Sequence, residues 1–332
     1  MPPSKQYDLL AYYDCLSGLA YALILHNNGR LPDPDYSLLH QSYKEIILLA
    51  SKGEFLKGQK DVCHVIDVYM TERLPKLGAT FSYSRNREQR LVLDMVLLMR
   101  EQCLHTIDVV IKIANALCSI KTPQTLQIWD NALATACLNA IDELKNTYLL
   151  FDHFPTKISF PHFSERENKQ ITSLLYLHHA PKEMPAEIYT GGKTQFYFLH
   201  HLTQTMLTLS KLSSELPLLA IPELREKPVK GLSDADSIID THVEIITDCL
   251  IIVLAACENA PGSIEFSVIP ALDAMHAANQ TLTYALNLVL QLPRKKRGDR
   301  DVPDQTRKKI AEDTRWLTYR QRNIEQAKQK LL

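Results

Sequence analysis

Between Leu91 and Leu117 the chain has neither glycine nor proline, and apolar residues recur at Leu91, Met95, Leu98, Met99, Ile107, Val110, Ile111, Ala114 and Leu117. Steps of three and four place them on one face of an α-helix. Val92, Val96, Cys103, Val109, Ile113 and Ala116 carry the apolar surface around much of the cylinder. A helix of this kind needs neighbours on several sides. Arg100, Glu101, Asp108 and Lys112 interrupt it, so no window of it reaches the roughly 18 consecutive apolar residues of a membrane span. The expectation is a core helix of a soluble bundle.

The rest of the chain repeats this pattern. Helical periodicity and breakers predict three short helices near Tyr7 to Asn27, Pro34 to Ser51 and Asp61 to Leu74, the last stopped by Pro75 and Gly78. A polar loop, Ser82 to Gln89, leads into the long helix. Four more long helices are predicted near Pro123 to Phe151, Thr194 to Leu219, Ser233 to Asn259 and Ser263 to Leu292, with a shorter one at Glu165 to His178 in an aromatic, proline-rich stretch. A charged helix, Asp304 to Leu332, closes the chain on few apolar anchors, Ile310, Trp316, Leu317 and Ile324. With 45% hydrophobic residues and only ten glycines in 332, the composition is globular and points to an all-α fold. Three segments are expected: an N-terminal helical subdomain (1–80), a central bundle of about five long helices (81–292), and a basic linker with the C-terminal helix (293–332).

Charge and cysteine usage narrow the function classes. The net charge of -1 conceals a basic tail, since residues 293–332 carry 13 Lys and Arg against 6 Asp and Glu. The run Arg294 to Arg300 reads as a solvated linker; without aromatic interleaving, nucleic acid is not an expected partner. Seven scattered cysteines without a CxxC motif read as buried free thiols of a reducing compartment. The first residues lack the charged and apolar blocks of a secretory signal, which makes a cytoplasmic location the expectation, with no membrane partner.

The most specific motifs lie in the N-terminal third. Tyr13-Asp14-Cys15-Leu16-Ser17-Gly18-Leu19-Ala20-Tyr21-Ala22, followed by Gly29, resembles the Asp-Ile-x-x-Ser-x-Ala-His-Ala helix and glycine stop of argininosuccinate lyases, in the fumarase/aspartase superfamily. Asp61-Val62-Cys63-His64-Val65-Ile66-Asp67 with Thr71-Glu72 and Gly78 is similar to that family's Asp-Val-His-Met-x-Ile-Glu stretch. Ser84-Arg85-Asn86 resembles its Gly-Arg-Ser-Arg-Asn-Asp-Gln loop, and Ser210 to Leu216 one of its helix ends. The resemblance covers about residues 8 to 120 and, more weakly, 190 to 220. Two registers fit the loop. Matching Ser-Arg-Asn by letter makes Arg85 and Asn86 the substrate-binding pair, whereas an ungapped run from Gly78 through Asp94-Met95 gives Arg85 and Arg87 the two arginine positions and puts Glu88 at the asparagine.

Elimination of fumarate from an N-substituted aspartate needs a carboxylate clamp, a base for the carbon-bound proton, charge stabilisation and an acid for the leaving nitrogen. The resemblance supplies a clamp from Ser84, Arg85, Asn86 and Arg87, because guanidinium forks and amides suit carboxylate oxygens. The other half is missing. Leu117 to Pro123 has no histidine where the family carries Gly-Tyr-Thr-His-Leu-Gln, and Lys227 to Ser237 keeps only a glycine, a serine and flanking lysines of the family's mobile serine loop. Thr190 to Lys193 replaces the family's Ser-Asp-Arg-Asp sequence and reads as a helix-entry turn.

Catalytic substitutes would be Ser233, which a helix N-cap explains better, and His64, which, like His105, reads as a structural histidine on a helical face. No metal is expected. The pairs His178-His179 and His200-His201 do not suggest one, since neighbours on a helix point about 100° apart. No cofactor is implied. Three functions follow: a repurposed argininosuccinate-lyase-like protein holding a small dicarboxylate without normal cleavage, an active C-N lyase, or a helical interaction protein. The resemblance also implies a homo-oligomer, a tetramer in the family.

Overall fold

A computed structural model describes residues 5–56, 61–119, 124–154, 163–179, 193–219, 233–258, 268–291 and 304–332. Among these the fold is all-α. The order is α1 (Lys5–Asn27), α2 (Asp33–Ser51), α3 (Val62–Arg73), α4 (Pro75–Tyr83), α5 (Arg87–Ser119), α6 (Gln124–Phe151), α7 (Glu165–Leu174), α8 (Lys193–Leu219), α9 (Ser233–Glu258), α10 (Val268–Gln291) and α11 (Asp304–Leu331). Two two-residue strands, β1 (His153–Phe154) after α6 and β2 (His178–His179) after α7, pair in parallel with His153 opposite His178. The segments around Lys227 to Leu232, Thr190 to Gly192 and Arg294 to Arg300 lie outside the described residues.

Five long helices, α5, α6, α8, α9 and α10, stand where the periodicity puts them. Sequence reading differs from the structure between Pro75 and Gln89. Pro75 opens α4 instead of closing α3, since a first-turn proline forfeits no helical hydrogen bond. Gly78 lies inside α4, where an added Cβ would stand 2.4 Å from the Met70 carbonyl oxygen; the glycine lets two helix backbones touch. The predicted loop therefore shrinks to Ser84 to Asn86, between α4 and α5.

Two compact units emerge: Met1–Gln102 with Tyr148–Thr194 and Arg320–Leu332, and Cys103–Thr147 with Gln195–Tyr319. In the first, α1 packs against α2, α3 and α7. Nearly all of α1 is buried, and the whole run Leu93 to Arg100 of α5 is buried on every side, as its all-round apolar surface requires. By length and hydropathy alone, Asp8–Asn27 could cross a membrane, yet 72% of its apolar window is buried in this fold. In the second unit α9 packs along α10. The C-terminal helix α11 is anchored at seven-residue intervals by buried Ile310, Leu317, Ile324 and Leu331. Within the second unit, Lys145 of α6 pairs with buried Asp313 of α11.

Candidate functional site

The α4–α5 corner is assembled on α1. Asp14 and Ser17, one turn apart, face Arg85 and Arg90. Arg85 Nη2 donates to Asp14 Oδ1 at 2.9 Å and to Ser17 Oγ at 2.6 Å, while its Nη1 donates to the Tyr43 hydroxyl at 3.3 Å. Arg90 takes the other Asp14 oxygen at 2.5 Å and reaches Asp67 of α3 at 2.8 Å. Asp94, one turn further along α5, lies 3.2 Å from the Ser17 hydroxyl. Asp14, Arg85, Arg90 and Asp94 are all at most 3% exposed. Gly18 makes the room: a Cβ there would stand 2.6 Å from the Tyr43 ring and 2.9 Å from Arg85 Nη1.

Burial sets the charge states. Desolvation alone would raise the Asp14 carboxyl, but the Arg90 and Arg85 guanidinium groups outweigh it and hold the group below the ordinary carboxylate range. Asp94 goes the other way: burial, reinforced by the Asp14 charge, pushes it well above that range despite both arginines. The two carboxyls of one cluster are thus shifted in opposite directions. Asp14, Cys63 and Asp94 bring possible ligand atoms within 4.8 Å of one another. A cation does not fit there, because two guanidinium groups already neutralise Asp14 and burial pushes Asp94 toward its neutral form.

The Arg85 fork thus points inward. What remains toward solvent is a cleft of about 590 Å³ lined by Asp67, Thr71 and Glu72 of α3 and by Arg85, Asn86 and Arg87. Asn86 is the N-cap of α5: its Oδ1 accepts from the Gln89 N–H at 3.2 Å. Arg87, exposed at the first helical position, pairs at 2.5 Å with Asp61, itself the N-cap of α3. Arg85 Nε is buried with no hydrogen-bond partner among the described residues. Ser84 is half-buried and spends its hydroxyl on the Phe81 carbonyl at 2.7 Å.

The other candidates stand apart. His64 is exposed in the first turn of α3 and is not one of the cleft's lining residues. Ser233 opens α9 in the second unit, and its side chain is outside the described residues. His105, expected as a packed structural histidine, is solvent-exposed on α5 with its ring 6.0 Å from that of His276 on α10. Arg90 and Asp14 were missed as members of the cluster; Asp14 stood in the quoted α1 motif, but nothing local in sequence ties it to Arg85.

No family model matches the chain. Argininosuccinate lyase of Parabacteroides distasonis is 23% identical over 171 residues, covering 46% of this chain and 38% of that protein. The Thermotoga neapolitana argininosuccinate lyase is 20% identical over 235 residues, 64% of this chain and 58% of that one. The matches thus span less than two thirds of these relatives. Among solved structures, EDDS lyase in complex with formate superposes with a TM-score of 0.67 at 12% identity, over 98% of this chain and 91% of that one. Class II fumarase from Schistosoma mansoni gives 0.60 at 12%, over 94% and 79%. At such identities the structures speak for the fold, and the sequence matches give the kinship. The chain is similar in sequence to argininosuccinate lyases and shares the all-α fold of EDDS lyase and class II fumarase.

Proposed function

We propose that this chain is a repurposed argininosuccinate-lyase-like protein that holds a small dicarboxylate or succinyl-type ligand at the α3–α4–α5 cleft without normal cleavage. The observation that carries this is an open cleft lined by Arg85, Asn86 and Arg87 together. Arg85 turns its fork inward to Asp14 and Ser17, so the donors left for a ligand are the exposed Arg87 guanidinium and the Asn86 amide, both suited to carboxylate oxygens. The Arg87–Asp61 pair is 61% and 43% exposed, and such pairs contribute little, so Arg87 can exchange Asp61 for a ligand carboxylate.

Ser233 and His64 are kept as candidates for residual chemistry, on the resemblance alone. A cytoplasmic homo-oligomer completes the proposal; all seven cysteines are free thiols, and apolar side chains lie exposed on α9 and α10.

Calorimetry with succinate and fumarate, beside an argininosuccinate turnover assay, tests this. Wild type should bind a dicarboxylate, Arg87→Ala should weaken binding about tenfold or more, and turnover should be negligible. Argininosuccinate cleavage at an ordinary enzymic rate, lost in Ser233→Ala or His64→Ala, would overturn the repurposed reading in favour of an active lyase.

A further inference from the structure

Away from that cleft, the junction of α6 with β1 and of α7 with β2 holds two histidines whose ring protons are fixed by different partners. His153 Nδ1 stands 2.8 Å from the Leu149 carbonyl oxygen. A carbonyl only accepts, so Nδ1 carries the proton and Nε2 keeps its lone pair. His178 Nε2 stands 3.4 Å from Asp152 Oδ2, an ion-pair contact that favours a proton on Nε2 and so a lone pair on Nδ1. Among the described residues no hydrogen bond engages either of those two nitrogens.

The backbone brings the two rings together. β1 and β2 are parallel with His153 opposite His178, so both side chains leave the same face. The ring centres are 6.2 Å apart, tilted by 54°. Two imidazoles on one tetrahedral ion, each with a metal–nitrogen bond of about 2.0–2.1 Å, have centres roughly 5 Å apart. The observed separation is about 1 Å wider, so a bound ion would draw the two rings together. His178 is 56% exposed, so an ion could enter and keep water at its remaining positions.

The support behind the pair is rigid. Asp152, 1% exposed, accepts from the Tyr148 hydroxyl at 2.9 Å and from Arg320 Nη1 at 3.0 Å, and its backbone oxygen accepts from His178 N at 2.7 Å. Helix α7 ends with the Leu177 N–H on the Thr172 carbonyl and Tyr176 in the left-handed region at φ 51°, a conformation that costs a non-glycine residue energy. Buried Arg100 secures that turn by donating to the Tyr176 and Leu175 carbonyls at 2.7 and 3.2 Å. A strained turn held in this way fixes where β2 begins and hence where His178 stands. Metal-binding histidines are oriented in the same manner, with the second nitrogen on a carboxylate or carbonyl.

We propose that His153 and His178 form a two-imidazole site for a divalent transition-metal ion of the imidazole-binding class. Sequence spacing conceals it, because the partners sit on different strands and the carboxylate belongs to the outer shell. Calorimetric titration of the full chain with Ni2+ tests the proposal, with thermal unfolding recorded in parallel. Wild type should bind one Ni2+ in the micromolar range and unfold at a higher temperature with it. His153→Ala and His178→Ala should each weaken binding at least tenfold and remove that rise, with the helical circular dichroism unchanged. Affinity unaltered in both variants would place any Ni2+ at other histidines and overturn the proposal. So would a wild type that binds none below 1 mM.

Discussion

Asp14 and Asp94 share one buried cluster and one pair of arginines, yet only Asp14 has both its oxygens bonded to guanidinium groups. That asymmetry makes Asp94 the group that keeps its proton, and the consequence can be measured. An acid whose folded pKa lies above its unfolded value of about 3.9 favours the native state fully below that value, and the contribution is lost as pH rises toward the folded pKa. Asp14, held low, contributes above its unfolded pKa and loses the contribution on acidification. Asp94→Asn keeps the shape and removes only the proton linkage. Relative to wild type, the variant should therefore gain about 1.4 kcal/mol of stability per pH unit in the window where only unfolded Asp94 is ionised. Urea denaturation from pH 5 to 8 reads this directly; stability curves that stay parallel would show Asp94 to be ionised. Arg85 was legible as special from its loop motif. The inward turn of its fork was not, because Asp14 lies 71 residues away and only the folded contact decides which way a guanidinium points.

Among the elements, long helices were the most legible, because a 3.6-residue period sustained over many turns has no competing reading. Punctuation was less so: Pro75 and Gly78 read as a stop, whereas the proline opens α4 and the glycine makes space for Met70. The terminal helix α11 looked short of anchors because only Ile310, Trp316, Leu317 and Ile324 were counted. The structure adds Leu331 on the same seven-residue line and Asp313, whose partner Lys145 belongs to α6. A helix held by so narrow a seam should be sensitive along it and tolerant elsewhere. Leu317, 3% exposed, should cost about 2–5 kcal/mol when cut to alanine. Tyr319→Ala, two residues on at 60% exposure, should stay within about 0.5 kcal/mol. Matched denaturant midpoints of the two variants would mean that α11 is not packed on this face. The two-residue strands were invisible in sequence, since so brief a pairing leaves no alternation to detect.

At the scale of the whole molecule, what needs a physical reason is the apolar surface of the second unit. Single exposed apolar residues are ordinary, but α9 presents Ile251 at 59%, Ile252 at 43% and Leu254 at 40%, and its neighbour α10 adds Tyr284 at 53%. Three large apolar side chains exposed within about one turn have the character of a protein interface rather than of scattered exposure. A second copy of the chain is the partner this proposal names, since self-association in closed symmetry is the commonest way soluble proteins cover such a face. Opposite charges placed there would be buried on association without partners and should prevent it. Light scattering on a sizing column should give wild type the mass of a multimer, four chains by kinship. Ile251→Glu combined with Ile252→Lys should reduce that mass while circular dichroism stays helical, because neither residue contributes to its own chain's core. A double variant that keeps the wild-type mass would remove α9 from the interface, and a monomeric wild type would leave this apolar face to a different protein.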